Sequence, residues 1–327
     1  MQEEKYRLVA DHLKSATRVC VITHLRPDAD AIGSATALTA ALRACGKEVE
    51  MVIGQKREVS RNFLTIPLSE DLRLVDELPG GFDVYVTVDC GSLGRAGSVQ
   101  DDLVRLVSQP EDKAPATVVC IDHHSSNEGF GHVNLVDTDA ESTTVAIHEL
   151  IKLLGVEINQ DIAHSLYAGL VTDTGSFRWG RASMHDLAAS LVRYGLDTKQ
   201  IALDLLDSTT PEDLKMLGQV LSGIRLLDVS GYRVAVLVGH YADLEGHPES
   251  AVEALVDHVR SIEGTDIAVV FKEQHPGHWA VSLRSSVVDC SALAVRLGGG
   301  GHVPAAGYST DGTEEEIIAQ LCAVLED

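Results

Sequence analysis

The sequence predicts an α/β protein in which an N-terminal domain with a doubly wound, mainly parallel sheet is joined by a helical linker to a smaller α/β domain. Three observations lead to this prediction. Short apolar runs alternate with segments of crossover length over the first 121 residues, which is the pattern of a parallel sheet. Residues 141–226 then show mostly helical periodicity, and strand-like runs return at 232. A chain of 327 residues is also longer than a single core usually allows.

The predicted strands of the first domain are almost continuously apolar, as expected of strands buried on both faces of a sheet. They are RVCVIT (18–23), EVEMVI (48–53), DVYVTV (83–88) and TVVCI (117–121). An amphipathic helix is predicted at 3–16, and a second helix at 31–46, where Gly46 is the expected stop.

The rest of the chain is predicted to be helical first and mixed afterwards. The four helical segments are ESTTVAIHELIKLLG, DIAHSLYAGLVTDTG, MHDLAASLVRYG and PEDLKMLGQVLSGIRLL, the last of which (211–227) is interpreted as a connecting helix. Strands are expected at 232–238, 266–272 and 278–285, with helices near 250–262, after 285 and at 313–325, and a GGGG loop at 298–301. The predicted domains are 1–205, a helical linker at 206–228, and 229–327.

Composition limits the class of function. The formal net charge is −23, which argues against binding a long nucleic-acid duplex but leaves short anionic substrates open. No apolar run resembles a signal sequence or reaches the length of a membrane span, so a cytoplasmic protein without membrane contact is predicted. The six cysteines are widely spaced and contain no CxxC pair, which predicts neither disulfides nor a structural zinc site.

Three of the predicted strands end in residues that bind metals. The first run leads into His24, Asp28 and Asp30, the third into Asp89, and the fourth into the triplet Asp122-His123-His124. The carboxyl ends of parallel strands share one edge of a sheet, so these clusters are expected to converge on a single site.

Carboxylates and imidazoles without thiolates suit manganese, iron or magnesium. The ligands suffice for two ions that share Asp89, and paired ions can clamp both oxygens of a phosphate during hydrolysis. Taken singly, Asp30 is as readily explained as the N-cap of the next helix. Capping does not explain the joint placement of all three clusters, and a buried Asp-His-His triplet needs partners such as metals.

Four segments then match, in order, the motifs of a known family. THLRPDADAIGS, VTVDCGSLGR, IDHHSSN and YAGLVTDTGSFRW resemble the DHH phosphoesterases over the first ~180 residues. The segments VSLRSS and GGGGHVPAAG are similar to the DHH-associated nucleotide-binding domain. Within the family, the chain resembles most the NrnA-type branch of bifunctional oligoribonucleases and 3′-phosphoadenosine 5′-phosphate (PAP) phosphatases, with relatives that cleave linear or cyclic dinucleotides.

The resemblance implies two Mn²⁺ ions, with Mg²⁺ or another divalent ion as alternatives. The implied ligands are His24, Asp28 and Asp89 for one ion, and Asp30, Asp89, His123 and Asp173 for the other. Asp89 is the bridge, His124 lies beside the phosphate as a donor, and Asp122 orients a ligand histidine; these three are the expected catalytic residues. Ligating imidazoles usually need such support.

The second domain is expected to bind the end of the nucleotide away from the scissile bond. A glycine run is a weak signal alone, but near an arginine and a histidine it can bring backbone N–H groups and cationic donors to a phosphate. The predicted substrate-binding residues are Arg284, Ser285, Gly299, Gly300, Gly301 and His302, together with Arg178 of the first domain; Arg181 and Lys272 are further candidates for local positive charge.

The expected function is manganese-dependent hydrolysis of short oligoribonucleotides or dinucleotides (nanoRNA, pApA, cyclic di-AMP) to 5′-mononucleotides, and of PAP to AMP, by attack of a hydroxide held between two ions. An inorganic pyrophosphatase or polyphosphatase and a non-catalytic second-messenger sensor are the alternatives. The expected partners are these short substrates and a second copy of the chain in a homodimer.

Some neighbouring residues have two interpretations. Asp137 and Asp139 precede the helix near Glu141 and are predicted to cap it, while Ser142 and Thr143 are candidates for lining the site. Phe177 and Trp179 are suited either to stacking on a base or to packing. Cys90 is predicted to be a small buried thiol without a catalytic role.

Overall fold

The chain folds as two units, residues 1–208 and 209–327, in a computed structural model that describes residues 2–207 and 209–326. None of the helices in these described ranges is long and apolar enough to cross a membrane.

The first unit contains a six-stranded, wholly parallel sheet. Its strands are β1 (Arg18–Thr23), β2 (Glu48–Ile53), β3 (Leu72–Leu74), β4 (Val84–Val88), β5 (Thr117–Asp122) and β6 (Val133–Val136). Their order is β3-β2-β1-β4-β5-β6, so the direction of winding reverses between β1 and β4. In such sheets, ligands bind outside the carboxyl ends of the strands at this reversal.

Helices and apolar side chains cover both faces of this sheet. The helices are α1 (Gln2–Ser15), α2 (Ala29–Ala44), α3 (Gln100–Val107), α4 (Thr143–Leu154), α5 (Gln160–Asp173), α6 (Ala182–Val192) and α7 (Thr198–Leu205). One core lies among α1, α2, α4 and α5, and a smaller core around Phe82, Tyr85 and Leu103 lies on the opposite face. Burial on both faces is why the central strands have almost no polar residues.

The prediction of an α/β fold with a mainly parallel N-terminal sheet is confirmed, and the four predicted strands lie where expected. The sequence analysis missed β3, β6 and α7, which are short. The second helix begins at Ala29, two residues earlier than predicted, because the Asp28 carboxylate caps it by accepting hydrogen bonds from the Asp30 and Ala31 amides (both 3.0 Å).

The second unit has its own six-stranded mixed sheet. The helices are α8 (Pro211–Leu221), α9 (Tyr241–Leu244), α10 (Glu249–Val259), α11 (Cys290–Arg296) and α12 (Glu314–Glu326). The strands are β7 (Arg225–Val229), β8 (Tyr232–Gly239), β9 (Ile267–His275), β10 (His278–Ser285), β11 (Gly300–His302) and β12 (Ala305–Asp311), in the order β11-β12-β10-β9-β8-β7. Apolar clusters lie on both faces of the sheet.

Two predictions for this unit were wrong in detail. The helix predicted at 211–227 ends at Leu221, and the apolar residues after it form β7, because Arg225–Val229 pairs with β8 in an antiparallel ladder. The predicted GGGG loop is partly a strand, since Gly300 and Gly301 pair with Gly307 and Ala306 of β12. The prediction also missed β12, whose small and polar residues carry little apolar signal.

Candidate metal centre

Three side chains of the candidate site follow β1. His24 is buried and directs Nε2 toward Asp89, 3.4 Å from Oδ2, while its Nδ1 lies 2.7 Å from the Leu25 carbonyl oxygen. Asp28 is exposed at the start of α2, and Asp30 is buried in the first turn of that helix. Arg95, which the sequence analysis did not single out, brings Nη2 to 2.8 Å from His24 Nδ1 and so places positive charge at this edge.

Asp89 occupies the centre of the site at the end of β4. Its backbone has φ of +55°, in the left-handed region that costs a non-glycine residue about 1–2 kcal/mol. A hydrogen bond from its amide to the Ile121 carbonyl (3.0 Å) ties this conformation to β5. With this backbone conformation, the buried carboxylate faces the histidines that follow β1 and β5.

The end of β5 supplies Asp122 and two histidines that face different partners. His123 donates a hydrogen bond from Nδ1 to the Ala140 carbonyl (3.2 Å). The lone pair of its Nε2 can then bind a metal ion, and this atom lies 3.7 Å from Asp89 Oδ1. His124 places Nδ1 2.8 Å from Asp122 Oδ1. A metal-binding imidazole typically has its other nitrogen held in this way.

Asp173 reaches the site from the last residue of α5. Its Oδ2 lies 3.2 Å from His123 Nε2. Helices α2 and α5 pack closely enough that a Cβ on Gly33 would lie 2.3 Å from the Ser165 carbonyl oxygen, and one on Gly169 would lie 2.5 Å from Asp30 Oδ1. The glycines therefore permit the close approach of helices that brings Asp173 to residues at the strand ends.

Three groups of donor atoms share Asp89, and within each group one ligand atom per residue lies within 4.8 Å of the others. The predicted ligands form two of these groups, with His24, Asp28 and Asp89 in the first and Asp30, Asp89 and His123 in the second, while Asp122 and His124 complete the third. Carboxylate oxygens and imidazole nitrogens at these separations fit divalent ions. The structure thus brings all six predicted metal ligands together at the reversal of the sheet.

The N-terminus of α4 holds the carboxylates in place. The amides of Thr143 and Thr144 donate to Asp30 Oδ2 and Oδ1 (2.6 and 3.0 Å), and the Thr143 hydroxyl donates to Asp89 Oδ1 (2.8 Å). Asp30 therefore caps α4 rather than its own helix, and the prediction that Asp137 and Asp139 cap this helix was wrong. Thr143 does line the site.

Asn127 supports His124 indirectly, through a hydrogen bond to Asp122. Asp122 is fully buried, and its Oδ2 accepts a hydrogen bond from Asn127 Nδ2 (2.6 Å) while its Oδ1 faces His124. The expectation that Asp122 orients a metal-binding histidine is thereby corrected: it contacts His124, and the Ala140 carbonyl supports His123. The sequence analysis missed Asn127, although it stands in the IDHHSSN motif.

The charges in the cluster favour the binding of a cation. Burial, with the negative charges of Asp89 and Asp173, raises the pKa of Asp30 well above its usual range. Burial would also raise the pKa of Asp89, but its hydrogen bond with His24 and the charges of three histidines hold it well below the usual range. Burial would lower the pKa of His123, but Asp173 raises it strongly. Divalent ions would relieve this competition for protons.

The predicted substrate-binding residues have varied surroundings. Arg178 is exposed and donates from Nε to the Gly175 carbonyl (2.6 Å), whereas Arg181 forms a salt bridge with Glu141 (3.0 Å). In the second unit, the Ser285 hydroxyl donates to the Asp266 carbonyl (2.7 Å) and accepts the Val287 and Val288 amides, so it stabilises a turn.

The glycines of the second unit have backbone roles within that unit. The Gly299 amide donates to the Ala294 carbonyl (2.7 Å) at the end of α11, and a Cβ there would lie 2.1 Å from the Gly307 carbonyl oxygen. Arg284 is half-buried on β10, and burial lowers its pKa. Lys272 is buried on β9, with Nζ bonded to Glu253 and, at 2.8 Å, to the Ser282 hydroxyl. Binding of substrate by Arg284, Gly299, Gly300, Gly301 and His302 stays a prediction.

The fold and the shared carboxylate define an α/β protein with a divalent-metal centre at the edge of a parallel sheet. Residues 18–170 match the model of the DHH family, N-terminal domain, and residues 233–327 match that of the DHHA1 domain. The chain belongs to the DHH family, and the family predicted from the four motifs is confirmed.

Individual relatives agree with this membership. The chain is 34% identical over 317 residues to a Thermus thermophilus protein named bifunctional oligoribonuclease and PAP phosphatase NrnA, covering 95% of this chain and 90% of that protein. It is 27% identical over 305 residues to a Bacillus subtilis protein of the same name, covering 91% of each. An exopolyphosphatase-related protein from Bacteroides fragilis has the same fold, with a TM-score of 0.84, 24% identity, and coverage of 99% of this chain and 96% of that one.

The contact between Asn127 and Asp122 leads to a testable prediction. Replacing Asn127 with alanine leaves Asp122 buried with one unsatisfied oxygen, so His124 loses its fixed orientation. We expect kcat for phosphoester hydrolysis to fall roughly 10- to 100-fold, as is typical when a supporting residue of a metal site is removed. Steady-state kinetics at saturating metal measures the effect.

Asn134→Ala is the matched control for this variant. Asn134 also organises the β5–β6 connection, because its side chain accepts the Gly131 amide (2.8 Å) and donates to the Gly131 carbonyl (2.7 Å) rather than contacting Asp122. Equal losses of kcat in the two variants would mean that Asn127 acts only through the loop.

Proposed function

We propose that this protein is a metal-dependent phosphoesterase that hydrolyses very short oligoribonucleotides and dinucleotides to 5′-mononucleotides, and PAP to AMP. The observation that carries the proposal is the pair of predicted ligand groups that share Asp89, with His124 beside them in a third group with Asp89 and Asp122. The names of the two NrnA relatives, each matched over nine-tenths of its length, support the substrate class. We further propose two ions, Mn²⁺ by preference.

Each part of the site has a distinct role in this reaction. Asp89 and the other ligands would hold the ions, which supply Lewis acidity and neutralise charge on the phosphoryl group. Thr143 and the first amides of α4 fix the carboxylates before substrate binds, so little reorganisation is needed later. His124, held by Asp122 through Nδ1, can donate from Nε2 to a phosphate oxygen when its ring is protonated; burial would lower the pKa of the ring, but Asp122 and Asp89 raise it.

The deciding experiment is a substrate panel with purified protein and Mn²⁺ or Mg²⁺. We expect turnover of pApA, of other 5′-phosphorylated dinucleotides and of PAP, with mononucleotides as products and no degradation of a long RNA duplex. Cyclic di-AMP belongs in the same panel as a further member of the substrate class. Faster release of phosphate from pyrophosphate than from every nucleotide would replace the proposal with a pyrophosphatase, and tight binding of nucleotides without turnover would replace it with a sensor.

Two further expectations stay predictions. A homodimer is checked by sedimentation velocity, and a cytoplasmic location by fractionation of cells that express the protein.

A further inference from the structure

One exposed aromatic side chain is anchored directly on the metal centre. Trp179 is 43% exposed, whereas the second tryptophan of the chain, Trp279, is 2% exposed in the core of the other unit. The Trp179 indole donates from Nε1 to the backbone carbonyl of Asp173 (2.9 Å), and the carboxylate of Asp173 contacts His123. The ring is therefore held a short distance from the cluster by a residue of the cluster itself.

The loop that presents this ring is strained. Gly175, Ser176 and Phe177 have φ of +54°, +62° and +62°, so two successive non-glycine residues adopt the left-handed conformation. Such residues are unfavourable and persist where the surrounding structure fixes them. Here the Ser176 amide donates to the Val171 carbonyl (2.8 Å) and the Arg178 amide to the Thr174 carbonyl (2.9 Å).

The two aromatic residues of the loop point to different surroundings. Phe177 packs inward, with its ring centroid 6.0 Å from that of Tyr167 and 5.7 Å from that of His185. Trp179 lies against Gly175, where a Cβ would come within 2.2 Å of the indole ring. Phe177 is thus a packing residue, and Trp179 is the more exposed aromatic ring of the loop.

Arg178 completes this surface. Its guanidinium carbon lies 5.9 Å from the centroid of the Trp179 ring, and its Nε is fixed by the Gly175 carbonyl. An indole ring beside a guanidinium group is suited to a nucleobase, because a base stacks on the ring while the cation attracts the neighbouring phosphate.

We propose that Trp179 is the stacking platform for the base of the nucleotide whose phosphate lies at the metal centre. This inference rests on the proposed function and adds how the substrate is selected. Every base has a π face, so the platform accepts many sequences but requires a base, and it discriminates nucleotides from base-free phosphoesters.

The test compares Trp179→Ala and Trp179→Phe on pApA and on an abasic dinucleotide of the same backbone. For Trp179→Ala we expect KM for pApA to rise roughly 10- to 100-fold, the usual loss for one stacked base. Its kcat/KM for the abasic dinucleotide should equal that of the unmodified protein, and Trp179→Phe should recover most of the affinity for pApA. Equal losses on both substrates, or no loss on either, would overturn the proposal.

Tyr194→Ala is the matched control, since Tyr194 is an aromatic residue of the same unit with similar exposure, 42%. A binding measurement separates this inference from the proposed function. AMP or pApA should quench tryptophan emission in the unmodified protein but not in Trp179→Phe, in which only the buried Trp279 remains. Quenching of tryptophan emission without turnover would support base stacking on Trp179 and contradict the proposed hydrolase activity. Turnover with the same quenching in both proteins would contradict only the role of Trp179.

Discussion

Asp89→Asn is expected to lower the rate of pApA hydrolysis by at least about three orders of magnitude while the protein stays folded. Asp89 is the one residue common to both groups of predicted ligands, so its loss weakens both ion sites together. Metal ions contribute several kcal/mol of charge stabilisation to such reactions, and each 1.36 kcal/mol is a factor of ten in rate. Asparagine is the informative substitution because it tolerates the left-handed backbone at this position better than alanine.

The control for this variant is Asp186→Asn, which removes an exposed carboxylate from α6. It should retain full activity. If Asp89→Asn kept more than about a tenth of the activity with a normal metal content, the shared role of Asp89 would be wrong.

Removal of metal should abolish hydrolysis and lower the stability of the first unit. Each ion that binds only the folded state stabilises it by about 2.7 kcal/mol at one hundred times its dissociation constant, which corresponds to a rise of roughly 5–10 °C in Tm per ion for a unit of this size. Differential scanning calorimetry of chelated and Mn²⁺-loaded protein measures the difference. A Tm that does not respond to any divalent ion would contradict the presence of the site.

The stabilisation by metal should also depend on pH. The pKa of Asp30 and that of His123 are both raised in the folded chain. A group with a raised folded pKa stabilises the fold fully below its unfolded pKa and loses that contribution as pH rises through the folded value. Chelated protein should therefore become less stable above pH ~4 from Asp30 and above pH ~6.5 from His123, so the gain from metal should be larger at pH 8 than at pH 5.

The sheet of the first unit was readable from sequence because strands buried on both faces leave continuous apolar runs. The runs at 18–23 and 117–121 are strands. The polar residues that follow them lie close together because parallel strands end at the same edge of the sheet. Short edge strands such as Leu72–Leu74 and small-residue strands such as Ala305–Asp311 lack this signal. The apolar pair Leu226 and Leu227 fits the pattern of a helix or of a strand equally well. They form a strand because they pair with β8.

The supporting contacts of the site were less readable, since they join distant parts of the chain. Thr143 meets Asp30 across 113 positions and Asp89 across 54, and only the packing of α2 against α4 and α5 brings them together. Asp173 lies in a helical run without a strand-end signal, so it was found through the family motif alone. The left-handed backbone at Asp89 likewise has no sequence signal.

The central claim, that one site binds two ions through Asp89, is tested most directly by counting metal. Metal-free protein dialysed against Mn²⁺ and analysed by mass spectrometry should contain two ions per chain, and Asp89→Asn should contain fewer than one at the same free concentration. One ion per chain in the unmodified protein, or two in the variant, would contradict the shared site.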